Sequence, residues 1–259
     1  MVIVCHTPDA DDAFMFYALR KRIIDNDFEF CVDDIETLNR MVIRGEAEVS
    51  SSSVNAYFKA MKNYSMLRAG GSFGEGYGPV IVSKRDFSRD EIGKLSIAVP
   101  GRLTSSYLIY RLFFRADSEV EMRFDRIIDA VLNDDVDLGL LIHEGQDTYR
   151  NYGLRLFSDL YNEWKNITDY PLPLGIMVIR KDLGKRNYIQ RMIRDSIDYS
   201  LKHVDDAIDF AMEYSRGNDR DTIKKFALKY VNERTYDMGK DGLGAIKFLY
   251  RAAREMNLI

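Results

Sequence analysis

An α/β fold of mostly parallel strands, arranged as two lobes around a cleft, is predicted by three features of this 259-residue chain. Short apolar runs alternate with helical patterns, the layout of strand–helix–strand units. Four of the apolar runs are followed by turns of small polar residues. Two β-rich runs, PVIVSK and GIMVIRK, bracket a middle segment that opens with a strand of its own, as a chain leaving one lobe and returning to it would do. The predicted division puts residues 1–91 and 175–259 in a first lobe and 92–174 in a second.

The elements follow in order. Val2 to Cys5 read as a buried strand, HTPDAD as a turn, and Phe14, Tyr17 and Ala18 recur at helical spacing. Asp9, Asp11 and Asp12 stand where they can cap that helix, whose positive end favours acidic residues. In AEVSSSS–VNAYFKAMKNY the serines read as a turn into an amphipathic helix, with Ser53 as its N-cap. GGSFG, Gly70 to Gly74, matches the letters of a nucleophile elbow, but Glu75 to Pro79 and a strand-like VIVS follow where a helix is required. A Gly-rich turn is the better reading, and the same glycines fail the dinucleotide pattern. In LSIAVPG–RLTSS–YLIYRLFF, Pro100 and Gly101 end a strand, and Thr104, Ser105 or Ser106 cap the next helix. Leu138 to Ile142 form a fourth apolar run, ending at His143. From Lys185 onward the pattern is continuously helical and is expected to cover the first lobe. Its amphipathic faces suit a homodimer contact and intrachain packing equally.

Composition narrows the function. With 46% hydrophobic and 30% charged residues the chain belongs with globular proteins. A net charge of −4 with scattered Lys and Arg leaves no footprint for nucleic acid or an anionic membrane. No apolar run approaches the roughly 18 residues of a membrane span. Cys5 and Cys31 are too few for a disulfide framework and lack CxxC spacing, which suits a reducing compartment. The opening MVIVCHTPDADD lacks the features of an export signal, so a cytoplasmic location is expected.

In such sheets ligands bind beyond the carboxyl ends of the strands. Hydroxyl-rich helix starts at Ser51, Ser52 and Ser53, and again at Ser105 and Ser106, would suit a small anionic ligand bearing a carboxylate or phosphate. His143-Glu144 does not continue as HExxH, because Asp147 stands where the second histidine belongs. His6 and His203 offer no ligand spacing, so no metal is expected. His143 itself is either a satisfied, partly buried histidine or a general base, for which an ordinary pKa of about 6.5 is apt.

The ordered set TPDADDAF, ETLN, VSSSSVNAY, GEGYGPVIV, AVPGRLTSSYL, LIHEGQDTY and PLPLG, spread over residues 3 to 183, resembles one family. It is similar to the 1,4-dihydroxy-6-naphthoate synthases of the futalosine route to menaquinone. The resemblance implies a two-lobed fold like that of type II periplasmic binding proteins. It implies cleavage of cyclic dehypoxanthinylfutalosine to dihydroxynaphthoate with loss of dihydroxyacetone, without metal or redox cofactor. His143 matches the family's proposed general base; Asn39, Ser51, Ser52, Ser53, Ser105 and Ser106 match its substrate contacts. The chain departs from the family in its PDADDAF and in Gln146-Asp147, changes that add acids and remove a cation near the expected site. Two other readings remain open: the chorismate dehydratase of the same pathway, against which the I-H-E-G histidine argues, and a non-catalytic binder of small anions.

Overall fold

The computed structural model describes residues 1–214, 217 and 219–259. Residues 215, 216 and 218, within the tail read as continuously helical, lie outside the described residues. The strands are β1 (Val2–His6), β2 (Phe28–Val32), β3 (Val49–Ser53), β4 (Tyr64–Met66), β5 (Ser72–Gly74), β6 (Val80–Ser83), β7 (Ser96–Val99), β8 (Ser118–Glu121), β9 (Leu138–Leu141), β10 (Arg155–Asp159) and β11 (Leu172–Arg180).

The chain forms two compact units: residues 1–73 with 175–243, and residues 74–174 with 244–259. The division differs from the sequence expectation in two places. Residues 74–91 were expected in the first lobe, yet β6 pairs with β9 and β10 in the second sheet. Residues 244–259 were expected to cover the first lobe, yet they group with the second unit. The Phe248 ring meets Trp164 edge-on at 5.4 Å, and Gly244 lies against the Tyr170 ring. Amphipathic periodicity specifies that a helix has an apolar face, not which core that face covers.

In the first unit the strand order is β2-β1-β3-β11-β4, with β5 added to β11. β1 runs parallel to β2 and β3, and β11 runs antiparallel to β3 and β4. In the second the order is β10-β6-β9-β7-β8, with β7 parallel to β8 and β9 and β6 antiparallel to its neighbours. Both sheets are therefore mixed rather than mostly parallel. A parallel neighbour needs a crossover connection, which the helices Ala10–Arg20 and Ser105–Phe113 provide after β1 and β7. β6 instead follows one passage of the chain between the units and β11 spans the other, and they run antiparallel to β9 and β3 respectively.

Helix Ala10–Arg20 buries residues on every side, including Phe14, Met15, Phe16 and Leu19, so it is the central helix of the first unit. Helix Ile35–Arg44 is bounded by two standard signals. The Asp34 carboxylate accepts from the N–H groups of Glu36 and Thr37, and Gly45 ends the helix at φ +77°. In the second unit Val80, Val82, Ala98, Ile127, Val131 and Leu141 share one core. Gly139 of β9 faces helix Ile127–Leu132 so closely that a Cβ there would lie 2.7 Å from Ile127 Cγ2 and 2.9 Å from Val131 Cγ2. Gly139→Val should therefore destabilise the protein by about 1–3 kcal/mol, read as a lower urea midpoint at unchanged slope.

Candidate active site

The first group of polar side chains forms where β1 and β3 end side by side. The parallel register sets Cys5 opposite Ser50, so β1 ends at His6, and the chain leaves the sheet at Thr7, beside Ser51 to Ser53. The serines are not a turn, as the sequence suggested, but the body of β3, and all are buried. A buried hydroxyl needs an acceptor for its proton. Ser50 Oγ donates to the Ser51 carbonyl at 2.7 Å and Ser52 Oγ to the Ser53 carbonyl at 3.1 Å. Ser53 occupies the N-cap position of helix Val54–Ala60 but makes no side-chain cap bond. Its partner is Asn39: Asn39 Nδ2 donates to Ser53 Oγ at 3.0 Å, and Asn39 Oδ1 accepts from the Ser53 N–H at 2.8 Å. Asn39, fully buried on helix Ile35–Arg44, thus clamps both the backbone and the side chain of Ser53.

Two further residues of this group were not predicted as site residues. Asp12 Oδ2 accepts from the Thr7 N–H at 2.8 Å, the Thr7 hydroxyl at 2.8 Å and the Ser51 hydroxyl at 3.0 Å. It is not a helix cap but a tie between the ends of β1 and β3. Asp9, the residue at the N-cap, makes no side-chain cap bond. Behind them lies His6, fully buried and stacked on Phe16 at 5.1 Å. Arg20 Nη1 lies 3.0 Å from His6 Nε2, and His6 Nδ1 lies 2.7 Å from the Thr7 carbonyl. A guanidinium can only donate, so Nε2 accepts and Nδ1 carries the proton: the ring is neutral. Arg20 also donates to the Tyr214 hydroxyl at 2.5 Å and lies 5.6 Å from the Phe30, Phe210 and Tyr214 ring centroids.

The second group forms in the other unit, where β7 and β9 run parallel with Ile97 opposite Leu138 and Ala98 opposite Gly139. Beyond β7 the chain turns at Gly101, whose φ of +140° favours glycine, into helix Ser105–Phe113. Thr104 is the cap: its Oγ1 accepts from the Tyr107 N–H at 3.1 Å. Ser105 and Ser106 form the first turn, both buried, with Ser106 Oγ 3.0 Å from Thr104 Oγ1. Beyond the fully buried β9, His143 sits at φ +54°, a left-handed conformation that is uncommon for a non-glycine residue. Its ring meets Phe124 edge-on at 4.8 Å, and its carbonyl accepts from the Gln146 N–H at 3.3 Å. Holding such a backbone costs about 1–3 kcal/mol, and residues so held cluster at functional positions.

The structure therefore brings Asn39, Ser51, Ser52 and Ser53 together at one strand edge. It sets Ser105, Ser106 and His143 beyond the ends of two neighbouring strands in the other unit. Asp12 was legible only as a helix-start acid, because its partners Thr7 and Ser51 lie far apart in the chain, one just after β1 and the other on β3. Among the described residues no three His, Cys, Asp or Glu side chains converge to hold a metal ion. Among the same residues no helix is long and apolar enough to cross a membrane.

The profile of the menaquinone biosynthesis family matches residues 2–255. The chain belongs to that family. A protein of Thermus thermophilus named 1,4-dihydroxy-6-naphthoate synthase is 34% identical to it over 256 residues, covering 97% of this chain and 93% of the relative. A crystal structure of an Archaeoglobus fulgidus protein, 45% identical, superposes with a TM-score of 0.95 and covers 100% of this chain and 98% of that one. The periplasmic aliphatic sulphonate binding protein of Escherichia coli, only 10% identical, reaches a TM-score of 0.65 over 100% of this chain and 88% of its own. The chain thus has the fold of periplasmic binding proteins.

Burial lowers the pKa of His6, against the raising influence of Asp12 and of the Thr7 carbonyl. The unfolded chain then binds a proton that the native ring refuses. Stability is full above the ordinary value of about 6.5 and falls as pH drops below it, at no more than about 1.4 kcal/mol per pH unit. The thermal midpoint should fall from pH 7 to pH 5, and His6→Gln should flatten that fall.

Proposed function

We propose that the protein is a 1,4-dihydroxy-6-naphthoate synthase of the cytoplasm. It acts on a small anionic substrate, cyclic dehypoxanthinylfutalosine, and releases the naphthoate and dihydroxyacetone. The observation that carries the reading is His143, kept in a strained backbone conformation at the carboxyl end of a buried strand. Strain of that kind is retained where a side chain must be aimed. His143 is the general base: its neutral imidazole takes a proton from the cyclic substrate as the carbon–carbon bond to the three-carbon fragment breaks. Asn39, Ser51, Ser52 and Ser53, with Ser105 and Ser106, bind the substrate. Thr104 keeps the helix start at Ser105 ordered by capping it.

Incubation with cyclic dehypoxanthinylfutalosine, followed by chromatography, should yield the dihydroxynaphthoate. His143→Ala should cut turnover by about 100- to 10,000-fold. His143→Gly should lose activity equally while keeping or raising the thermal midpoint, because glycine adopts φ +54° without strain. Near-normal turnover in a folded His143→Ala protein rules out the base. Stabilisation by the substrate without any product, in the unaltered protein, would instead favour a small-anion binder of the same fold.

A further inference from the structure

The hydrogen bonds around β3 show where the hydroxyl protons of Ser50, Ser51 and Ser52 go. Ser50 and Ser52 spend theirs on the carbonyls of Ser51 and Ser53. Ser51 Oγ donates to Asp12 Oδ2 at 3.0 Å, with the Met177 sulfur a second, weaker acceptor at 3.3 Å. The Thr7 hydroxyl and N–H go to the same carboxylate oxygen, each at 2.8 Å. Asp12 is half-buried, and Ser51 keeps 8% of its surface. What Ser51 presents to a ligand is therefore a pair of lone pairs beside a carboxylate. Such a position accepts from an O–H group and has no proton to offer an anion.

We propose that Asp12 is a positioning residue that makes this strand end a reader of substrate hydroxyls. By accepting hydrogen bonds from the Ser51 and Thr7 hydroxyls it leaves their oxygens able only to accept from a ligand. The hydroxyls read are those of the three-carbon fragment that leaves, and the substrate carboxylate is kept away from Ser51. The assignment rests on the naphthoate synthase reading and refines it: the serine row discriminates by hydrogen-bond polarity, and the anion is held elsewhere. The acidic PDADDAF start, which looks ill-suited to an anionic substrate, then has a use for its Asp12.

The role depends on an acceptor at Oδ2 rather than on negative charge, and this separates it from a structural or electrostatic one. In Asp12→Asn the amide oxygen can take the same three donors; in Asp12→Ala it cannot. Substrate KM and product inhibition by the dihydroxynaphthoate are measured for the unaltered protein, Asp12→Asn, Asp12→Ala and Ser51→Ala, with thermal midpoints as a folding check. The expected result is a substrate KM within threefold of normal in Asp12→Asn, and at least tenfold higher in Asp12→Ala and Ser51→Ala. The product's inhibition constant should stay within twofold throughout, since the product has lost the fragment. Should Asp12→Ala fail to fold, Ser51→Ala and Asp12→Asn carry the same comparison. The proposal is overturned if Asp12→Asn tightens product binding more than threefold, which would put the carboxylate at Ser51. It is overturned equally by a normal KM in Ser51→Ala, or by weakening of product and substrate alike. Absence of turnover in the unaltered protein would instead remove the naphthoate synthase reading itself.

Discussion

Two parallel strand pairings, β1 with β3 and β7 with β9, determine where the polar side chains of interest end up. Parallel neighbours have their carboxyl ends on one edge, so segments 45 residues apart in the chain deliver their side chains to one place. The antiparallel strands do the reverse: β11 returns along β3, with Ile176 opposite Ser52, and contributes apolar bulk. Everything said of the serines, Asn39 and Asp12 follows from that register. A slip of one residue would turn Ser51 to the opposite face of the sheet.

Placing four serines in a buried strand creates a second constraint. Each hydroxyl out of reach of water must find an acceptor, or the protein bears the cost of an unmade hydrogen bond. For Ser50, Ser51 and Ser52 the protein meets this demand internally, with two backbone carbonyls and one carboxylate. The solution is directional. A proton spent on a neighbour cannot be given to a ligand, so satisfying the core and defining the ligand's chemistry are one event. Asn39 shows the same economy, its amide serving Ser53 twice through one donor and one acceptor.

The second unit works through backbone geometry. Gly139 lets helix Ile127–Leu132 press onto β9, so the strand end that carries His143 is held by close packing. On that support the chain can keep a histidine at φ +54°. The buried His6 contrasts with it: neutral, stacked on aromatic rings and tied to Arg20, it is a core histidine that depends on staying unprotonated. Of two histidines at or beyond strand ends, one is consumed by packing and the other lies only partly buried against Phe124.

Much of this was legible in the order of residues. Alternation of apolar runs with helical patterns determined the α/β class, because strand and helix impose different periods on any chain that buries one face. His6 after Cys5, Pro100 and Gly101 after Val99, and His143 after Ile142 marked strand ends, and Thr104 to Ser106 marked a helix start. Asp34 and Gly45 would have marked the helix that carries Asn39. Tertiary structure alone decided the rest. It placed β6 and the end of the last helix in the second unit, since an apolar stripe does not name its partner. It made the serine run a strand, since serine has little preference of its own when the neighbours β1 and β11 supply the hydrogen bonds. And it gave Asp12 its three donors, because hydrogen-bond direction depends on which groups meet in space, and those groups lie just after β1 and on β3.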